Sequence, residues 1–172
     1  LTSVTGTDSI TRFTAAAGTT YRIKVQTYGN SANFQLAFAQ APANDNFANA
    51  TPIPAGTNAT VTGDFLGSYF EDGEPGSSYQ TLWWRWTAAG TGPVTLMVES
   101  ANPDLDLRLN AWEGTALTAL TGFPGRRGKV TFQATTGTTY RIQAGTYQAV
   151  VSSSQVTLSL YTAPGNDAFA AA

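Results

Sequence analysis

The sequence predicts an all-β protein: an antiparallel β-sandwich carried as a tandem repeat of about 120 residues. Three observations lead there. Short runs alternate apolar and polar residues and favour β-branched and aromatic side chains, as a half-buried strand does. Gly- and Pro-rich breaks separate the runs at roughly 8–12 residue spacing, the rhythm of a sandwich. The chain also repeats itself at domain length, far beyond the roughly 20–50 residues of a solenoid unit.

The repeat occurs in two blocks. Gly18-Thr19-Thr20-Tyr21-Arg22-Ile23 returns as Gly137-Thr138-Thr139-Tyr140-Arg141-Ile142, 119 residues later. Ala41-Pro42-Ala43-Asn44-Asp45-Asn46-Phe47-Ala48 returns as Ala163-Pro164-Gly165-Asn166-Asp167-Ala168-Phe169-Ala170, 122 residues later. The three extra residues fit the loop at Gly29–Asn33 and its counterpart Gln148–Ser154. The expected organisation is therefore a C-terminal half of a preceding repeat at 1–40, and a linker and unit start at 41–50. A complete sandwich follows at 42–162, and a linker and start of the next repeat at 163–172. A permuted unit from about 1 to 115 fits the spacing almost as well.

In chain order, strands are expected at 10–15, 20–28 and 33–39, as copies of three later ones. Asn44 or Asp45 is placed to cap one helical turn over Asp45–Ala50. A strand follows at 58–66. In Thr81–Thr87, Leu82, Trp84 and Trp86 share the core face, and Trp83 and Arg85 the other. Val94, Leu96 and Val98 point inward from the next strand. In Asp104–Asn110, Leu105, Leu107 and Leu109 face the core, while Asp104, Asp106, Arg108 and Asn110 face away. Further strands are expected at 128–134, 138–146 and 154–161. Gly73-Glu74-Pro75-Gly76, Gly90-Thr91-Gly92-Pro93 and Gly122-Phe123-Pro124-Gly125 are the breaks.

Composition narrows the function. Charged residues are 12% against a usual quarter, yet 42% hydrophobic and 12% aromatic content can build a core. A net charge of −2 argues against nucleic acid or anionic membrane as partner. No apolar run is long enough for a membrane span. The chain has no Cys and no His, which removes disulfides, thiolate chemistry, the commonest general base and the commonest zinc ligand. Oxygen-ligated ions such as calcium remain.

The ordered series Asn44–Ala50, Gly73-Glu74-Pro75, Leu82–Ala88, Asp106–Gly114 and Ala134–Ile142 resembles the bacterial pre-peptidase C-terminal domain family, across all of 42–162 and half of a second copy. The resemblance implies a jelly-roll-like sandwich without catalytic activity. Such domains are strung along extracellular and cell-surface proteins of bacteria and are related to collagenase collagen-binding domains. It also implies a calcium site at the linker: Asn44 and Asp45, with Glu71, Asp72 and Glu74. Relatives carry an acidic pair before the strand at 128–134, where this chain has Gly125-Arg126-Arg127-Gly128, which puts any ion site using that pair in doubt.

Three further constellations are weighed against plain structural roles. Asp104 and Asp106 lie about 7 Å apart on one strand face, a separation glycosidases use, but Arg108 shares the face and neutralises Asp106. Trp83 and Trp112 fall on outward parity. They either stack on a glycan ligand or are covered by loops. Lys24 and Lys129 are the lysines from which an internal Lys–Asn crosslink could form. The favoured expectation is a non-catalytic structural repeat of an extracellular fibre, stalk or adhesin. Its expected partners are neighbouring copies, with a head-to-tail polymer as one arrangement. The alternative is a ligand-binding module for a glycan or a fibrous protein.

Overall fold

The structure, a computed structural model, describes residues 11–26, 33–36, 38–56, 58–150 and 152–163. The chain divides into two units, 1–37 and 38–172. The expected start of a next repeat lies outside the described residues except for Ala163. So do loop positions 29–32 and Val151.

The second unit is a two-sheet sandwich. Its strands are β1 (Thr51–Pro52), β2 (Asn58–Asp64), β3 (Gln80–Thr87), β4 (Gly92–Ser100), β5 (Leu107–Glu113), β6 (Thr121–Pro124), β7 (Lys129–Ala134), β8 (Thr139–Thr146) and β9 (Gln155–Thr162). One sheet has the order β1-β3-β8-β5-β6 and the other β2-β9-β4-β7. All ladders are antiparallel except β1 with β3.

The expected alternation sets the core. Leu82, Trp84, Trp86, Leu109, Ala111, Tyr140, Ile142 and Ala144 project from the first sheet. They meet Val94, Leu96, Val98, Phe132, Val156, Leu158 and Leu160 from the second. Each large side chain buried this way contributes roughly 1.5–3 kcal/mol before ordering entropy is subtracted.

Pairing is interleaved rather than sequential. β7 pairs with β4, β8 lies between β3 and β5, and β9 lies between β2 and β4. The last three strands therefore make no ladder with one another.

That topology explains the first unit. Strands were expected at 10–15, 20–28 and 33–39, but none is present among the described residues there. Under the repeat expected from the sequence these segments correspond to β7, β8 and β9, whose ladder partners in the second unit all lie in its earlier strands, and the described residues 11–26 and 33–36 hold no counterpart of those strands. A strand without a partner has no ladder hydrogen bonds to hold it.

One local structure does recur in both units. The Ala16 N–H donates to the Tyr21 hydroxyl at 2.9 Å, and the Thr135 N–H donates to the Tyr140 hydroxyl at 2.9 Å. Phe13 and Tyr21 rings sit 4.9 Å apart at 47°, and Phe132 and Tyr140 rings 4.7 Å apart at 50°. Thr19 N–H bonds the Ala16 carbonyl as Thr138 N–H bonds that of Thr135. Gly18 at φ 75° and Gly137 at φ 80° supply the left-handed residue that each turn requires.

Three expectations are corrected in the second unit. The strand expected at 104–110 begins at Leu107 and runs to Glu113. Pro103 lacks a donor, and Asp104 N–H turns back to the Asn102 side chain at 3.1 Å, so Asp104 sits in a turn and Asp106 in the irregular stretch before β5. The helical turn is a single 3-10 turn, Phe47–Asn49, with Asn46 at its N-cap and no side-chain cap bond. Asp45 points elsewhere, to Tyr69. β1 and β6 were not anticipated, because both are short and contain Pro (Pro52 and Pro124).

Candidate functional site

The outer face of the five-stranded sheet gathers most of the residues singled out from the sequence. Outward parity places Trp83 and Arg85 there from β3, Arg141 and Gln143 from β8, and Arg108, Asn110 and Trp112 from β5. Two segments cover part of it: the lead-in at 42–53 and the loop at 65–79.

The lead-in docks along β3. The Trp83 N–H donates to the Asn44 carbonyl, and the Ile53 N–H to the Arg85 carbonyl, both at 2.8 Å. The Phe47 ring meets Trp83 edge-on, with centroids 5.2 Å apart, and Phe47, Ala50 and Trp83 form a small buried cluster. Arg85 and Arg141 are direct cross-strand partners, a like-charge pair that would repel. The lead-in relieves it. Arg85 donates to the Ala50 carbonyl at 2.8 Å, and the Arg141 guanidinium lies 4.6 Å from the Phe47 ring centre, a cation–π contact. Burial, with the charge of Arg85 second, holds Arg141 below the usual guanidinium value.

The lead-in and the loop hold each other by reciprocal bonds. The Tyr69 N–H donates to Asp45 Oδ1 at 2.6 Å, and the Phe47 N–H donates to Glu71 Oε2 at 3.1 Å. Deeper in, Glu74 is buried and accepts three hydrogen bonds. Trp83 Nε1 donates at 2.8 Å, Thr81 Oγ1 at 3.0 Å and Gln143 Nε2 at 3.1 Å. Burial pushes the Glu74 carboxyl above the ordinary glutamate value, and the three donors offset only part of that rise.

These contacts revise the calcium expectation. Asn44 and Asp45 are buried, Glu71 is half-buried and Asp72 is exposed. Among the described residues no group of three or more acidic side chains is arranged to hold a metal ion. The donor set does not fit calcium, which needs six to eight oxygens. Three hydrogen-bond donors converge on Glu74, and Asp45 and Glu71 each already cap a backbone N–H. Hydrogen bonds tie the lead-in to the body.

Trp83 is fully buried under Phe47 and Ala50, so its ring is covered by the protein itself and offers no face to a ligand. Trp112 is half-buried, with its ring laid against Gly122. It borders a groove of about 290 Å³ between the 75–78 loop and the sheet, lined also by Arg108, Asn110, Gln143 and Tyr147. The Arg108 guanidinium sits 4.9 Å from the Tyr147 ring centre and pairs with Asp106 at 3.1 Å. The groove floor is pre-bonded: Asn110 Nδ2 donates to Gln143 Oε1 at 3.4 Å, and Gly125 N–H donates to Asn110 Oδ1 at 3.2 Å. Asp104 is exposed beside a second hollow of about 450 Å³, which Asp106 and Arg127 also line. Lys24 and Lys129 are both exposed.

Sequence reasoning missed Glu74's role as a buried acceptor, and it missed Tyr147 and Gln143. One signal pointed to Glu74. A tryptophan of outward parity that becomes covered must bond its indole N–H, and the nearest acceptor-bearing loop holds that glutamate.

No protein-family model and no curated protein matches the sequence. Several solved structures are similar in shape. The periplasmic inhibitor of g-type lysozyme PliG from Aeromonas hydrophila is 14% identical over 66% of this chain and 96% of its own, with a TM-score of 0.46. The pre-peptidase C-terminal domain of collagenase from Bacillus anthracis is 16% identical over 64% and 93%, with a TM-score of 0.43. The Yersinia pseudotuberculosis-derived mitogen is 12% identical over 62% and 86%, with a TM-score of 0.43. At this level of likeness the assignment of a β-sandwich rests on the strand ladders of the chain itself.

Proposed function

We infer that this chain is a non-catalytic structural segment of an extracellular tandem β-sandwich array, built to link one unit to the next. The observation that carries the reading is the Phe–turn–Tyr structure formed twice at a spacing of 119 residues, with the same hydrogen bond and the same ring geometry. The docked lead-in supports it. Phe47, Asp45 and Glu71 anchor the lead-in to the body of its own unit. The Cys-free, weakly charged composition suits a bacterial surface protein. Contacts that propagate head to tail without closing give a filament. Negative-stain imaging over a concentration series tests this: strings that lengthen with concentration are expected, and isolated compact particles at every concentration would overturn it.

A second reading is favoured by the groove beside Trp112 and Tyr147, where an aromatic wall meets the Arg108, Asn110 and Gln143 side chains. It would make the unit a ligand-binding module for a glycan or a fibrous protein. Isothermal titration against a glycan panel and against triple-helical collagen peptide decides it. Heat that disappears in Trp112→Ala supports this reading, and silence on all ligands removes it.

A further inference from the structure

We propose that residues 11–26 and 33–36 are an acceptor surface for one kind of partner: an unpaired front half of a sandwich repeat, of the type that 58–113 forms here. The proposal rests on the tandem-repeat reading and adds what must cover this face.

The apolar side chains of the first unit correspond one by one to core positions of the second. Tyr21, Ile23 and Val25 stand where Tyr140, Ile142 and Ala144 stand, and Phe34 and Leu36 where Val156 and Leu158 stand. All five are exposed in the first unit and buried in the second. Ile23 is 53% exposed and Ile142 0%; Leu36 is 55% exposed and Leu158 1%. Tyr21, Ile23, Val25, Phe34 and Leu36 are thus large apolar side chains of the kind that soluble proteins cover.

What covers it is already drawn once in this molecule. Ile142 lies between Trp84 of β3 and Ala111 of β5 in the ladder, and Leu158 between Val61 of β2 and Val98 of β4. The occupant must therefore bring four strands, two to each sheet, that interleave with the copies of β8 and β9. A single added strand would leave one side of each unpaired.

Charge selects the same occupant. Residues 11–36 carry Arg12, Arg22 and Lys24 and no acidic residue. Residues 58–113 carry eight acidic and two basic residues. A net −6 segment meets a net +3 surface, which favours encounter and disfavours pairing of two like halves.

The test uses the whole 172-residue chain, refolded with an equimolar recombinant polypeptide of residues 42–128. The readouts are complex mass by light scattering and amide exchange. A one-to-one complex is expected, with exchange across 19–26 slowed at least ~100-fold. The double variant Ile23→Asp/Leu36→Asp, which leaves the second unit untouched, is expected to lose both. A complex in which 19–26 stays unprotected overturns the proposal, because the polypeptide has then displaced part of the second unit instead. Should the polypeptide aggregate, fusing a copy of 42–128 ahead of Leu1 provides the same readout, and unprotected 19–26 in the fusion again overturns it. Lengthening strings in negative stain with no protection sink this proposal alone; protection with compact particles only sinks the array reading alone.

Discussion

Glu74 shows how much one side chain can organise. It serves three donors at once, and two of them, the Trp83 indole and the Gln143 amide, lie on different strands of the sheet. Glu74→Ala would strand all three in a buried setting. A loss of about 3 kcal/mol is expected in urea unfolding, within the range for unsatisfied buried donors. The pH response has an unusual sign. The native carboxyl titrates above its ordinary value of 4.5, so the fold favours the protonated form. That stabilisation is complete below about 4.5 and is lost as pH rises through the native value. Relative to Glu74→Gln, the wild type should gain stability on acidification from pH 7 towards 4. A flat difference would show that the carboxyl is not desolvated. Calcium at millimolar concentration should leave the melting temperature unchanged, because Asp45, Glu71 and Glu74 oxygens already accept protein hydrogen bonds.

Asp64 behaves in the opposite way. Burial raises its pKa, but hydrogen bonds from the Ser153 hydroxyl and the Leu66 and Ser154 backbone N–H groups outweigh burial and bring it below 3.8. Its contribution is present above 3.8 and fades as pH falls through the lowered native value. Asp64→Asn should cost about 1 kcal/mol at pH 7 and progressively less as pH falls below the ordinary aspartate value, as read by thermal melts.

At the scale of elements, the lead-in at 42–53 is the piece to perturb. Phe47→Ala would uncover Trp83 and release Arg141 from its aromatic contact. A loss of about 3 kcal/mol is expected, with a red shift in tryptophan emission. An unchanged spectrum would mean that Trp83 is shielded without Phe47. This element also shows where the sequence was legible. Alternation placed β3, β4, β8 and β9 within a residue or two, because parity is a local property of a half-buried strand. It put Trp84 and Trp86 in the core and Trp83 on the far side. It did not show that Asp45 caps the Tyr69 N–H and Glu71 the Phe47 N–H, since those contacts join residues 24 apart through a tertiary fold. The acidic cluster looked like an ion site because composition reveals which oxygens are present and not which donors already face them. β1 was invisible for a related reason: Thr51 and Pro52 carry no periodic signal and become a strand only by lying beside Trp84 and Arg85.

At the scale of the whole molecule, charge and topology divide the second unit in the same place. Residues 42–113 hold nine acidic and two basic residues, and 114–163 hold four basic and none acidic. The two halves interleave in both sheets, so neither is a folding unit alone. A polypeptide of 42–163 should therefore fold cooperatively by itself with native near-ultraviolet dichroism, whereas 1–40 should show no strand signal in isolation. A two-step melt of 42–163 would contradict such cooperativity.

The interleaving has a consequence for synthesis on the ribosome. β2 waits for β9, about 90 residues downstream, before its ladder can close. During that delay the front half of the unit stands exposed, apolar and acidic, before its partner strands have been made. Slow closure of such long-range pairings lengthens the time in which that half can pair wrongly, so the pace of translation through 114–163 bears on how much of the chain folds correctly.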